Sequence, residues 1–306
     1  MKKFFSAVIA LMMTLSVSAQ FYIYLSNGEV LQADSISVIA PSENPDNPDT
    51  PVTPENGTLA GLFSVSATTQ VQFSQGNLQY QASTDTWRFA ENQYDLIGSD
   101  NSNISASYSG WIDLFGWGTG SNPTNTSTDN SDYSTFTDWG VNAISNGGNT
   151  ANTWRTLTKD EWVYLFYTRT NAATLFGLGS VNGVNGLILL PDNWTTPSGA
   201  SFTASTAQGL ADSGDHYGAG EGNGHFTDNT YAASQWKTME SAGAVFLPAV
   251  GVRNGTGVYN VGMSGNYWSA TPLDTYGAYY LHFSPIYLGP QYPSSRHAGL
   301  SVRLVR

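Results

Sequence analysis

The spacing of apolar and polar positions changes along the chain, and each change predicts a different element. In VSATTQVQFSQGNLQYQASTDTWRFA (65–90) apolar and polar positions alternate and pause at turn residues, the pattern of consecutive antiparallel strands. From 98 to 150 the alternation gives way to Ser, Asn, Thr, Gly and Asp, interrupted by Trp111, Phe115, Trp117, Phe136 and Trp139. Long loops pinned by buried aromatic rings are expected there. The spacing then becomes helical. Thr158-Lys-Asp-Glu161 is a capping box, because the hydroxyl can accept the Glu161 N–H while the carboxylate reaches back. Trp162, Leu165, Phe166 and Arg169 follow at helical intervals. A second helix fits 231–242, with Trp236 and Met239 on one face and Gly243 placed to end it. GLILLPDNW (186–194) reads as a short buried strand or turn, and AGAVFLPAVG (242–251), GNYWSAT (265–271), AYYLHFS (278–284) and GLSVRLVR (299–306) read as strands. Few helices, many short antiparallel strands and long loops make an α+β domain.

The first 57 residues are organised differently. MKKFFSAVIALMMTLSVSAQ has a basic start, an apolar run and small residues before Gln20, which predicts a signal peptide (1–19) cleaved after Ala19. Residues 20–40 predict a short hairpin turning at Asn27-Gly28, a dipeptide suited to the positive φ angles of a tight turn. The prolines of PSENPDNPDTPVTPENG (41–57) remove backbone donors and favour extended chain, so this stretch reads as a linker. One domain is expected over 58–306, without a second linker or internal repeat.

Composition narrows the function. Only 11% of residues are charged, so the surface must be wetted by hydroxyls and amides. The net charge of -12 disfavours nucleic acid as a partner, since a polyanion needs a basic footprint. The acid is uneven: from Gly251 onward Arg253, Arg296, Arg303 and Arg306 face only Asp274, which suggests that the two parts meet different partners. With no cysteine, disulfides, thiol nucleophiles, cysteine–zinc sites and a lipidated N-terminal cysteine are all excluded. No run after the signal is apolar enough to span a membrane, so membrane association is expected only through partners.

WRTLTKDEWVYLF (154–166), GLILLPDNW, AGAVFLPA with Gly251 and Arg253, GNYWSAT, and Arg296 followed by GLSVRLVR occur in an order that resembles the "major paralogous domain" group of secreted bacterial proteins. That group has a C-type-lectin-like fold and includes relatives of the variable proteins of diversity-generating retroelements. The resemblance covers most of 58–306. It implies that the first and last strands pair, that Ser301–Arg306 is the last, and that a binding surface lies just upstream of it. It also implies that framework residues between the variable sites stay fixed, a role that suits the nine tryptophans. Adenine-directed mutagenesis of Asn codons does not readily yield Trp, Met, Lys, Glu or Gln, and between Pro272 and Ala298 only Gln291 belongs to that set.

The residues point the same way. Alternation in AYYLHFS puts Tyr279, Leu281 and Phe283 on a core face and Ala278, Tyr280, His282 and Ser284 on a display face. Nearby loops add Tyr276, Tyr287, Tyr292, Ser294, Ser295 and His297, the mixture of rigid rings and adaptable hydroxyls typical of binding loops. Exposed Tyr and Ser also occur in such loops without any binding role. The expected partner is a protein or glycan on another cell, phage or host surface, with oligomers compatible. The competing expectation is a subunit of a surface adhesin or fibre, assembling through the 20–40 hairpin by strand addition.

No catalytic chemistry, organic cofactor or metal is expected. The calcium motifs of sugar-binding C-type lectins are not matched: Gln291-Tyr292-Pro293 and Trp268-Ser269-Ala270 lack the necessary carboxylates and amides. Formylglycine-generating relatives of the fold need cysteines. Iron-dependent sulfoxide synthases need a histidine triad, for which His216, His225, His282 and His297 lack a tight spacing. The acidic, glycine-rich stretch 212–228 offers oxygen ligands for a hard cation such as calcium, but such stretches are usually solvated turns. Asp113, inside an aromatic cluster, is expected to hold backbone donors in a turn, not to serve as a hydrolase acid.

Overall fold

The structure, a computed structural model, describes residues 55–205, 224–285 and 287–306, together with two strands near the start of the chain. These strands, β1 (Phe21–Tyr24) and β2 (Val30–Ala33), pair antiparallel with Phe21 opposite Ala33 and Tyr24 opposite Val30. The expected turn at Asn27-Gly28, the signal at 1–19 and residues 41–54 of the linker lie outside the described residues. The chain divides into two units, Met1–Pro48 and Asp49–Arg306.

The second unit is mixed α and β, built from many short strands and few helices. The alternating stretch near its start forms two small hairpins, β3 (Phe63–Ser64) with β4 (Gln70–Val71) and β5 (Leu78–Gln81) with β6 (Thr86–Phe89). A four-stranded sheet follows, in the order β10 (Val245–Pro248), β8 (Val184–Leu189), β7 (Phe176–Val181) and β9 (Thr230–Tyr231). A hairpin joins β11 (Val252–Asn254) to β12 (Gly257–Tyr259). The longest strands form a three-stranded antiparallel sheet of β13 (Gly265–Pro272), β14 (Gly277–Ser284) and β15 (Tyr287–Ser295), with β14 in the middle.

Both expected helices form where their end signals lie. In α1 (Lys159–Val163) the Glu161 N–H donates to Thr158 Oγ1 at 3.2 Å, and Glu161 Oε2 accepts from the Thr158 N–H at 2.8 Å. Arg155 grips the same carboxylate through both terminal nitrogens at 2.7 Å each, and the helix continues as a π-helical turn, Tyr164–Thr168. The second helix, α2 (Ala233–Ser241), is a little shorter than its spacing suggests; it buries Trp236 and Met239 and stops before Gly243, whose φ of 98° few other residues adopt.

The final residues hold the unit together. Ser301–Arg306 forms no continuous ladder, but an extended segment touching several strands through isolated bridges. The N–H groups of Leu78, Ser74 and Gln72 donate to the carbonyls of Val302, Leu304 and Arg306, and Arg155 bridges Val305 from the other side. Val302 and Leu304 enter a cluster with Trp87, Phe115, Trp139 and Trp268, while Val305 enters another with Phe63, Phe73, Trp162 and Phe283. The segment thus alternates between the two clusters and is buried on both faces.

The arginines of the last third correct the idea of a basic surface facing a separate partner. Arg253, Arg296 and Arg303 are 0%, 7% and 1% exposed, so their charge points inward. A guanidinium offers five donors, enough to tie together carbonyls that irregular loops leave unpaired. Arg253 donates to the carbonyls of Leu114, Asn125 and Gly255; Arg296 donates to those of Tyr133, Ser134, Asp274 and Gly277 and stacks 4.4 Å from the Trp117 ring. Arg303 donates to the side-chain oxygens of Asn77 and Gln93. Burial pushes Arg303 down to about 10, still charged at neutral pH.

Candidate functional site

The three-stranded sheet decides which of the expected binding residues meet. In β14 the odd positions Leu281 and Phe283 pack into the cluster around Trp162. Gly265 lies opposite Phe283, and a Cβ there would collide with the Phe283 ring, so the pair needs a glycine. On the even face, Tyr280 pairs with Trp268 on one side and Tyr292 on the other, His282 with Asn266 and Gly289, and Ser284 with Tyr287.

Four of the expected residues therefore form one aromatic face. Ring centroids lie 5.9 Å apart for Tyr280–Tyr292, 6.0 Å for Tyr280–His282, 5.2 Å for His282–Tyr292 and 6.3 Å for His282–Tyr287. These spacings fall within the range in which aromatic pairs attract edge-to-face or offset. A register shift between Tyr280 and His282 lets β15 bring both Tyr287 and Tyr292 to the one histidine.

The even face is not uniformly displayed, as simple alternation suggested. Ala278 is fully buried and Tyr280 is 9% exposed, both within the cluster of Trp268, Phe115 and Trp117. The reason is that β14 is a middle strand whose Ala278 and Tyr280 share one cluster with residues of 98–150, among them Ile112, Phe115 and Trp117. Tyr280 is accordingly the floor of the site. His282, Ser284, Tyr287 and Tyr292 are half-buried and form its open part. Tyr279, expected in the core, is also half-buried, with Lys159 Nζ 5.3 Å from its ring.

The remaining expected residues lie elsewhere. Tyr276, 67% exposed, sits on the turn between β13 and β14, where the Asp274 carboxylate accepts the N–H groups of Tyr276 and Gly277 at 2.8 and 2.7 Å. Ser294 and Ser295 pair with Ala278 and Gly277 at that same end. Seven residue steps of about 3.4 Å separate it from Ser284, roughly 24 Å away. His297 bonds Asn130 of the long loop through its Nδ1 at 3.0 Å. Burial, and secondarily the Arg253 charge, hold its imidazole below the ordinary histidine range.

His282 is strongly perturbed by its surroundings. Burial pushes its pKa from 6.5 down to about 4, so it is neutral at physiological pH. Its Nδ1 lies 2.8 Å from Asn266 Oδ1, whose amide nitrogen donates to the Gly251 carbonyl at 2.9 Å. Sequence reading missed Asn266; the signal available was a polar side chain inside the apolar strand GNYWSAT.

Other candidate chemistry finds little support. Among the described residues no group of three His, Asp or Glu side chains could hold a metal ion. Residues 212–223 of the acidic stretch, with His216, lie outside the described residues, and His225 is exposed. Asp113 is fully buried and accepts the Ile97 N–H at 3.0 Å and the Asn101 amide at 2.7 Å, while burial raises its pKa to about 6. It thus holds a backbone donor, as its sequence context suggested. Compared with protein-family models, curated proteins and solved structures, the chain finds no match in any of the three.

Proposed function

We propose that the protein is a secreted, non-enzymatic recognition protein with a C-type-lectin-like fold, which binds a ligand on another surface through the open part of the β13–β15 aromatic face. The observation that carries the reading is the convergence of Tyr280, His282, Tyr287 and Tyr292, from two paired strands, on one face that is half open. Rigid aromatic side chains give large contact area at small entropic cost, and a floor locked by Trp268 preorganises them. The resemblance implies that the first and last strands pair; the counterpart here is the set of backbone bonds between 72–78 and 302–306. Diversification by a retroelement would act on this face, with the buried tryptophans as its constant frame.

The test is binding of labelled protein to intact bacterial and host cells, read by flow cytometry, for wild type and for Tyr287→Ala with Tyr292→Ala. Losing two central rings should weaken binding at least about tenfold, near 1.4 kcal/mol, while cooperative unfolding is retained. Equal binding by the two proteins, or no binding to any cell, would count against the proposal.

A further inference from the structure

The bonds around Asn266 determine which hydrogen-bonding role His282 offers a ligand. The Asn266 amide nitrogen is committed to the Gly251 carbonyl at 2.9 Å and lies 3.3 Å from Ser264 Oγ, so its Oδ1 is the atom facing His282. An amide oxygen only accepts, and the 2.8 Å contact therefore requires a proton on His282 Nδ1. In a neutral imidazole the other nitrogen, Nε2, then carries a lone pair. Nε2 lies on the far side of the ring from Asn266, and the rings of Tyr287 and Tyr292 are centred 6.3 and 5.2 Å from the imidazole.

Building on the binding role proposed for this face, we infer that the Asn266–His282 pair makes it a saccharide site, in which a sugar ring lies against the tyrosines and one of its hydroxyls donates to His282 Nε2. Three features favour that chemistry. The open part of the face presents neutral groups: three aromatic rings and the Ser284 hydroxyl. An anion would meet a lone pair where it needs a donor, and an aliphatic side chain would bury that lone pair without a partner, which is unfavourable. A pyranose has an apolar C–H face to set against an aromatic ring and a rim of hydroxyl donors, so it satisfies both halves of the site. Asn266 is a positioning residue in this scheme, acting through the tautomer of His282.

The experiment combines a direct reading of the tautomer with a chemical test of the ligand. Long-range proton–nitrogen spectra of the 15N-labelled protein should show His282 protonated on Nδ1; protonation on Nε2 would overturn the inference. Cells that bind the labelled protein are then treated either with periodate, which cleaves vicinal diols, or with protease. Periodate should reduce binding at least about tenfold, and protease should leave it largely intact. His282→Phe keeps a ring but removes the acceptor, and should bind as weakly as wild type on periodate-treated cells. Asn266→Ala should shift the tautomer mixture and weaken binding with it. Binding that depends on Tyr287 but survives periodate would sink the saccharide assignment and leave the recognition role standing, with a protein ligand. Binding that is indifferent to Tyr287 would remove both.

Discussion

Replacing Tyr280 by alanine separates a floor residue from a displayed one, and its cost can be worked from burial. A tyrosine buries roughly 150–250 Å² when it leaves water, and Tyr280 retains only 9% exposure. At about 25 cal/mol per Å² the lost burial amounts to roughly 4–6 kcal/mol as an upper bound. Partial collapse around the vacated space brings the expected loss to about 3–5 kcal/mol, the usual range for a core aromatic cut to alanine. In a domain of this size that corresponds to a fall in Tm on the order of 10 °C. Tyr287→Ala, by contrast, removes a half-buried ring at the open end and should cost about 1 kcal/mol or less. Urea unfolding followed by tryptophan fluorescence and by circular dichroism measures both, and Tyr280→Phe serves as the control that keeps the ring. If Tyr280→Ala proves as mild as Tyr287→Ala, Tyr280 is not wedged against Trp268. The division of the face into floor and open part would then be wrong.

Two further outcomes follow from groups outside the site. Asp113 has a folded-state pKa raised by burial to about 6, so its contribution to stability is fully present below its unfolded value of 3.8 and is lost as pH rises through 6. Two pKa units are worth about 3 kcal/mol; urea unfolding at pH 4 and pH 7 should show Asp113→Asn gaining roughly that much relative to wild type across the interval, and a constant difference would refute the assignment. Thr158→Ala removes one half of the α1 capping box and should destabilise by about 1 kcal/mol. Glu161→Ala should cost more, because it also leaves Arg155 without its paired carboxylate; equal losses in chemical denaturation would contradict that order.

Local signals were the legible ones. Thr158 and Glu161 announce a helix start because the bonds that make it span only three residues, and Gly243 announces an end because its conformation is written in its lack of a side chain. Period-two alternation in AYYLHFS separated Leu281 and Phe283 from Tyr280 and His282, though Tyr279, expected with the first pair, is half-buried. What alternation cannot carry is the exposure of a face, since that depends on whatever distant segments pack on it; here Ala278 and Tyr280 join a cluster with residues such as Ile112, Phe115 and Leu300. The same limit hid the role of the arginines. Their donors are used by carbonyls far away in sequence, such as Leu114 for Arg253 and Tyr133 for Arg296, and a count of charges cannot distinguish that from a basic surface. The Asn266–His282 bond crosses between strands whose register includes irregular steps, so spacing alone could not have found it.

The way residues 298–305 lie buried between both clusters has a consequence for the order of assembly. These residues bond or bridge partners at 73–78, 115, 155, 253 and 266, so neither cluster can close until they are in place. Local hairpins and helices can form early, but joining them requires partners far away in sequence, a contact pattern that slows folding. Until these residues dock, each cluster lacks the strand-like segment that it shares with the other. Eight residues thus act as the shared keystone of two clusters that local structure alone leaves apart.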